Sequence, residues 1–236
     1  MFFKYLVMVF KRVTIYLSFP VEFGRIFMFE LQAFYVRFFL RFSLRQLYAI
    51  NKINREKNLM INFGCGISSF KEWINVDVIP NHHADLLLDI RCPLPFKTQC
   101  TRFIFAEHVI EHLQYDEAAH FIRECYRIMK LGGAIRIITP DLNRFVRAYI
   151  EDDKQFFNLV SPTIPDPVGG LNLMFRQGGT HQYIYDFNAM NKILLQNGFT
   201  KVFLSSYKKS FWSDLNIDTS KEQRIAESLY VDAIKL

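Results

Sequence analysis

Two glycines in a short loop, followed by a series of acids, could bind a small organic ligand. The apolar run at residues 59–63 ends in Gly64-Cys65-Gly66. Because glycine tolerates positive φ and lacks a Cβ, a ligand can approach such a backbone closely. A buried strand that leads into this kind of turn is how α/β folds commonly receive a nucleotide-type cofactor. Two glycines after an apolar run also occur in ordinary turns, so the loop alone decides little.

Acids that follow the loop in order strengthen this interpretation. Asp77 lies fifteen residues after Asn62 at the end of a second apolar run, where a carboxylate can accept hydrogen bonds from both hydroxyls of a ribose. Asp85 and Asp89 belong to a third run. Asp89 could accept the exocyclic amine of an adenine, with Ile90 against the ring. Each acid could instead be a solvated turn residue, but three in order after a glycine loop favour a binding site.

The loop is less suited to a dinucleotide than to a ligand without a pyrophosphate. The dinucleotide fingerprint requires a third glycine, where this chain has Ser69. The sequence therefore does not favour NAD.

A second cluster has the spacing of a metal site. His108, Glu111 and His112 match the H-x-x-E-H pattern of inverted zinc peptidases, and on a helix the two histidines would face the same way. However, the cluster follows the apolar run at residues 103–106 directly, inside an alternating β/α chain, and a third protein ligand is not evident. We therefore expect no metal here, and a structural role for His112.

The same motifs, taken in order, are typical of one enzyme family. They lie at Asn62–Gly66, Trp73–Asp77, Pro93–Phe96, Glu107–Leu113, Tyr126–Gly133 and Thr139–Leu142. As a set they resemble the class I S-adenosylmethionine-dependent methyltransferases, and among these the predicted bacterial methyltransferases linked to surface-polysaccharide or lipopolysaccharide synthesis. The chain departs from the family pattern at Asn62 and Arg102, where an acid is common, and at Leu131, where a proline is usual.

The resemblance implies a fold, a cofactor and a set of contacts. The fold is a Rossmann-like α/β sheet of seven strands whose last hairpin is antiparallel, in a methyltransferase domain that covers residues 59–236. The cofactor is S-adenosyl-L-methionine. Its expected binding residues are Asn62, Gly64, Cys65, Gly66, Asp77, Val78, Asp89, Ile90, Glu107 and His108.

Apolar patterning agrees with alternating strands and helices, and hence with a mostly parallel sheet. We expect Gly132-Gly133 to end a helix whose apolar stripe is Phe121, Ile122, Cys125, Ile128 and Met129. Asp186 should cap a helix that runs to about Gln196. The last two strands are predicted at residues 201–204 and 228–233.

Methyl transfer depends first on alignment of the acceptor, and a hydroxyl acceptor also benefits from a general base. The candidate bases are His181, His108 and Asp141. His181, which follows a glycine-rich loop, is favoured, whereas Asp141 could equally cap the next helix. Residues 143–180 are interpreted as an insertion that shapes the acceptor site, with apolar residues that suit either an apolar acceptor or a core.

Residues 1–58 differ in composition from the rest of the chain. They hold ten Lys and Arg against three acids, and eleven of the 25 Phe residues lie within the first 42 positions. Charges interrupt every apolar run, so neither a signal peptide nor a membrane span is predicted. The spacing indicates a basic amphipathic helical extension, with a break at Pro20. It could lie at an anionic membrane surface, or pack its Phe face on the domain.

These observations predict a cytoplasmic enzyme with a small-molecule or glycan acceptor, and a sugar hydroxyl is the specific hypothesis. The four cysteines show no disulfide or zinc spacing, which favours a reduced protein. A nucleic-acid partner is not expected, because the excess positive charge lies on the extension. The alternatives are a catalytically weak scaffold docked at a membrane, and a lipid or quinone methyltransferase.

Overall fold

Seven strands form one mixed sheet in the computed structural model, which describes residues 21–164 and 166–236. Their bounds are β1 Leu59–Phe63, β2 Ile74–Asp77, β3 Leu86–Leu87, β4 Thr101–Glu107, β5 Met129–Pro140, β6 Lys201–Leu204 and β7 Ser228–Ile234. The strand order is β3-β2-β1-β4-β5-β7-β6. β7 pairs antiparallel with both β5 and β6, and the other pairs are parallel. The predicted sheet with an antiparallel last hairpin is confirmed.

Eight α-helices surround the sheet in the described part of the chain. They are α1 Val21–Tyr35, α2 Leu44–Ile53, α3 Tyr115–Ile128, α4 Leu142–Ile150, α5 Lys154–Val160, α6 Pro167–Arg176, α7 Phe187–Gln196 and α8 Glu222–Glu227. A π-helical turn, Val36–Leu40, continues α1. As predicted, Asp186 caps α7 by accepting a hydrogen bond from the amide of Ala189.

The central strands are apolar on both faces because both faces are covered. Ile61, Phe63 and Ile104 on one face are fully buried against α3 and α7. The other face packs beneath the segment between β6 and β7, with Phe105 and Leu215 among its buried residues.

The predicted end of the α3 helix was wrong. The helix stops at Ile128 rather than at the glycine pair, and Met129 already belongs to β5. The reason is tertiary: Met129 pairs with Thr101 of β4 and is fully buried in the sheet. Gly132 then lies inside the long β5 strand with φ at +75°.

Residues 143–180 form most of α4, together with α5, α6 and the turn that follows. They have a small core of their own, in which Phe145, Phe157 and Met174 are buried. Part of the apolar content of this segment is thus used for packing, whereas other apolar residues, among them Ile150, Val168 and Phe175, stay exposed.

Helix α2 ties the N-terminal extension to the edge of the sheet. Ser43 caps the helix, and the amide side chain of Gln46 bonds both backbone groups of Leu87 in the edge strand β3, at 2.7 and 3.3 Å. Asn54 bonds the backbone of Pro95 and Lys97 in the same manner. Gln46 thus satisfies backbone groups of an edge strand that would otherwise be open to pairing.

Helix α1 and its π-helical turn contact the domain through their charged face. Glu30, Arg37 and Arg41 all bond to residues between β3 and β4. In contrast, Phe38 and Phe39 are each 60% exposed and Phe42 is 65% exposed. The face that packs on the domain therefore holds these charged residues together with the buried Ala33 and Val36, and the Phe face is exposed.

The expected break at Pro20, and the rest of residues 1–20, lie outside the described residues. Among the residues that are described, no helix has the length and apolar character needed to span a membrane.

Candidate functional site

The glycine loop lies at the carboxyl end of β1 and offers an open stretch of backbone. Gly64 and Gly66 have positive φ, at +66° and +51°, and a Cβ added to Gly66 would meet nothing within 4 Å. Asn62 braces the loop from below: its side-chain amide donates to the carbonyl of Ser68 at 2.9 Å and to Asn75 Oδ1 at 3.1 Å. An uncharged amide suits this position because both of its partners are acceptors.

Asp77 connects the end of β2 to the glycine loop. Its carboxylate accepts hydrogen bonds from the amides of Gly66 at 2.7 Å and Ile79 at 2.8 Å. The Cys65 thiol lies 4.0 Å from the same carboxylate. Burial, and then the charges of Asp77 and Asp85, raise the pKa of Cys65 to about 12, so the group stays a thiol. Val78 follows the strand and is half-buried.

Asp89 lies after β3 in a network of charges. Its carboxylate accepts a hydrogen bond from Nε of Arg91 at 3.0 Å and forms an ion pair with Nε of Arg37 at 2.9 Å, and Glu30 completes the network through Arg91. Burial lowers the pKa of Arg91, but the bonds to Asp89 and Glu30 outweigh it and raise that pKa above its ordinary value. Asp89, the expected partner of adenine, thus also binds the N-terminal extension through Arg37. Ile90 beside it is half-buried.

Glu107 and His108 end β4. Glu107 accepts from the amide of Thr219 at 3.3 Å, and burial raises its pKa. His108 has a φ of +53°, which turns its ring towards β7 and α8. Its Nε2 bonds the Ser228 hydroxyl at 2.9 Å, while its Nδ1 contacts Arg224. Both ring nitrogens of this candidate base therefore have protein partners.

Asp141 caps α4 by accepting from the amide of Asn143 at 3.0 Å, and it lies 3.5 Å from Arg144. Burial raises its pKa. The sequence left open whether Asp141 is a general base or a helix cap, and in the structure it caps α4.

His181 lies in the wall of a cavity of about 90 Å³ between α4, α6 and α8. Its Nδ1 donates to the carbonyl of Met174, while its buried Nε2 has no hydrogen-bond partner among the described residues. Burial lowers the pKa of the ring, which favours the neutral form. The cavity is also lined by Gln177, Arg224 and Glu227.

The structure brings His181 to His112 and Glu111, an association that sequence reasoning missed. The H-x-x-E-H spacing pointed to His108 as the partner of His112 on a helix. Instead Ile110–His112 form a single 3₁₀ turn, and the left-handed backbone of His108 turns that side chain away. Spacing could not reveal the pairing with His181, because it depends on how residues 143–180 return to the sheet.

The donors of this region suit S-adenosylmethionine. A nucleoside can approach the bare backbone at Gly66, and the Asp77 carboxylate lies within hydrogen-bond distance of that same amide. A ribose at this edge would find an acceptor for its hydroxyls.

Comparisons with known proteins agree with the fold. Residues 71–137, from the approach to β2 to the middle of β5, match the family described as "Methyltransferase domain". None of the curated proteins matches the sequence of this chain.

Similar solved structures are distant. A SAM-dependent methyltransferase from Thermotoga maritima, described as a possible histamine N-methyltransferase, is 16% identical with a TM-score of 0.47, covering 86% of this chain and 95% of that one. A SAM-dependent methyltransferase from Archaeoglobus fulgidus is 17% identical with a TM-score of 0.45, covering 86% and 98%.

The matched residues span β2, β3, β4 and most of β5. The order β3-β2-β1-β4-β5-β7-β6 carries a single antiparallel strand next to the end of an otherwise parallel sheet. The chain therefore contains a methyltransferase domain, matched at residues 71–137, within a seven-stranded α/β sheet of this order.

Proposed function

We propose that the protein methylates a hydroxyl of a small-molecule or glycan acceptor that binds beside His181, and specifically a sugar hydroxyl during surface-polysaccharide synthesis. The observation that carries the proposal is the unpaired Nε2 of His181 in the wall of a cavity. A neutral imidazole nitrogen held in place by a bond from its other nitrogen can accept a proton from a bound hydroxyl. The surface-glycan part of the proposal derives from the sequence resemblance.

The residues around the glycine loop hold the cofactor, which supplies an electrophilic methyl group on a sulfonium. The backbone of Gly64 and Gly66 receives it, and Asp77 accepts the ribose hydroxyls. Asn62 keeps the loop in shape through Ser68. The remaining expected contacts, at Cys65, Val78, Asp89, Ile90, Glu107 and His108, stay predictions.

The character of the acceptor cavity favours a polar substrate over a lipid or a quinone. One part of the wall consists of Gln177, Gln223, Arg224 and Glu227, and the other is apolar with Phe145 and Met174 among its residues. Binding sites of this mixed type fix a ligand by a few placed polar groups on an apolar surface. A sugar, which has polar edges and apolar ring faces, fits this arrangement.

The test is methyl transfer from S-adenosylmethionine labelled in the methyl group. The protein is incubated with nucleotide sugars and with membrane-bound glycan, and label is expected in an O-methyl sugar after hydrolysis. His181→Ala should reduce the label at least about 100-fold, because a positioned base contributes about 10²–10⁴-fold. Exposed His82 provides the control, since His82→Ala should leave labelling unchanged.

Label that appears in protein, lipid or quinone and never in sugar would contradict the acceptor assignment. Undiminished labelling by a folded His181→Ala variant would remove His181 from the reaction.

We also propose that the N-terminal extension docks the enzyme at an anionic membrane surface, on the inner face of the membrane. Support comes from Phe38, Phe39 and Phe42, which are exposed while the opposite face of the segment holds the domain. Arg45 and Lys52 are exposed on the neighbouring helix. Contiguous exposed apolar side chains near basic ones are typical of interfacial binding.

Vesicle flotation tests this docking. The full chain should float with vesicles that contain anionic lipid and should be released by salt, because each basic residue near such a surface contributes about 1 kcal/mol. The double variant Phe38→Ser, Phe39→Ser should reduce the floated fraction several-fold. Phe211→Ser is the control, because Phe211 is also exposed but lies outside the N-terminal extension, and it should leave flotation unchanged. Equal flotation of both variants, or flotation with neutral vesicles alone, would exclude this surface.

A further inference from the structure

Three side chains with metal-binding atoms converge next to the acceptor cavity, whose wall includes one of them, His181. One ligand atom from each of Glu111, His112 and His181 lies within 4.8 Å of the other two. Ligands of a zinc ion at about 2.1 Å are at most about 4.2 Å apart. Shifts of less than about 1 Å would therefore bring all three onto one ion.

Both histidines have the same ring nitrogen engaged by the backbone. Nδ1 of His112 bonds the carbonyl of Thr180 at 3.1 Å, and Nδ1 of His181 bonds the carbonyl of Met174. A carbonyl can only accept a hydrogen bond, so each Nδ1 is the donor and Nε2 is the nitrogen left to bind a metal. Histidines that bind metals are commonly fixed by this type of bond to a backbone carbonyl.

The carboxylate of Glu111 is fully buried and only partly satisfied. Its Oε2 accepts from the Thr139 hydroxyl at 3.0 Å, whereas Oε1 has no aligned hydrogen-bond donor among the described residues. Nδ1 of His108 lies 3.0 Å from Oε1 but also contacts the guanidinium of Arg224. One nitrogen cannot both accept from Arg224 and donate to Glu111. A buried carboxylate oxygen left without a donor is costly unless a cation neutralises it.

We infer that Oε1 of Glu111 and Nε2 of His112 and His181 form a binding site for a divalent transition-metal ion of the zinc type. Two imidazoles and one carboxylate are a common donor set of zinc sites that keep a position open for substrate. The ionised Glu111 and the two neutral histidines supply the negative charge and the lone pairs that such an ion requires.

The inference deepens the proposed function and rests on it for the role of the ion. His181 also lines the cavity that we assign to the acceptor, so the proposed ion would lie at the edge of that cavity. A bound divalent ion lowers the pKa of such an oxygen strongly. In the metal-bound protein His181 would be a ligand, and the ion would take over the activation that a free His181 would otherwise provide. The hydroxyl proton would pass to solvent, and the bond from the oxygen to the methyl carbon would form as the bond from that carbon to the sulfonium breaks.

Metal binding is measured without any acceptor. The full-length protein is stripped with a chelator and titrated with Zn²⁺ by calorimetry, and Co²⁺ is added separately to record its visible spectrum. One equivalent of Zn²⁺ should bind, and Co²⁺ should give the bands of a site of low coordination number. His112→Ala and His181→Ala should each weaken Zn²⁺ binding more than about 100-fold, since loss of a supporting residue alone costs about 10–100-fold.

Two controls separate loss of the site from loss of the fold. His82→Ala, which removes an exposed histidine elsewhere, should bind one equivalent with unchanged affinity. In chelator, His112→Ala and His181→Ala should melt within a few degrees of the parent, while the parent and His82→Ala should gain on the order of 5–10 °C at a hundredfold excess of Zn²⁺ over Kd. The histidine variants are preferred because Glu111 is fully buried.

Absence of stoichiometric binding, or equal binding by the parent and the histidine variants, would overturn the metal site. Such a result would not contradict the proposal that a metal-free His181 acts as the general base. Conversely, stoichiometric Zn²⁺ binding by a protein that labels no sugar would preserve the site and refute the proposed acceptor.

Discussion

Arg136→Met is expected to destabilise the protein by about 3–5 kcal/mol, because it leaves two buried carboxylates without their cation. Arg136 is fully buried in β5 and bonds Asp218 through two nitrogens, both at 2.7 Å, and Asp232 at 2.7 Å. Asp232 faces it directly across the β5–β7 pair. Burial lowers the pKa of Arg136, but the ion pairs with Asp218 and Asp232 outweigh this effect and raise it, so the group stays charged.

The consequence extends to the cofactor side of the sheet. Asp218 precedes Thr219, whose amide bonds the carboxylate of Glu107 at the end of β4. Arg136 thus anchors the segment that contacts Glu107, and its loss should loosen this corner before the whole domain unfolds.

Urea denaturation and thermal melting check the prediction, with a Tm lowered by about 6–20 °C for a protein of this size. Arg102→Met is the matched control, since Arg102 lies exposed on the neighbouring strand β4. That variant should change stability by no more than about 0.5 kcal/mol. Similar losses for the two variants would contradict the importance of the buried network.

The second large effect concerns the two loop glycines, which should respond differently to alanine. A Cβ at Gly64 would lie 2.2 Å from Cγ2 of Val109, whereas a Cβ at Gly66 would meet nothing within 4 Å. Both positions have positive φ, which costs alanine roughly 1–2 kcal/mol. Gly64→Ala adds an overlap worth about 1–3 kcal/mol and should be the more destabilised protein.

Gly66→Ala is expected to fold with a modest loss of stability and to lose affinity for S-adenosylmethionine, because its methyl group occupies the open side of the backbone. Val109→Ala in the Gly64→Ala background should recover part of the lost stability by removing the atom that overlaps. Calorimetric melting and cofactor titration measure the two effects separately. A Gly66→Ala protein with unchanged affinity would show that the cofactor does not approach this backbone.

The order of elements could be predicted from the sequence because it depends on local signals. Buried parallel strands are continuous apolar runs, and the cap at Asp186 is a property of one residue and its neighbours. The end of α3 could not be predicted, since the pairing of Met129 with Thr101 is a contact between distant segments.

The same distinction applies to the candidate site. The glycine loop and Asp77 are close in the chain and follow a strand, so their proximity at Gly66 could be inferred. The engagement of Asp89 by Arg37 and the meeting of His112 with His181 depend on how the extension and residues 143–180 fold back on the sheet. Spacing within one segment carries no information about such contacts.

The central claim is that the loop at Gly64 and Gly66, together with Asp77, binds S-adenosylmethionine. The measurement is the change in Tm of the purified chain with S-adenosylmethionine, S-adenosylhomocysteine and NAD, with Asp77→Ala as the comparison. At a hundredfold excess over Kd a ligand adds about 2.7 kcal/mol, which corresponds to on the order of 5–10 °C here. The account predicts this rise with the first two ligands, none with NAD, and its loss in a folded Asp77→Ala variant. A rise that survives in the variant, or none with any ligand, would contradict it.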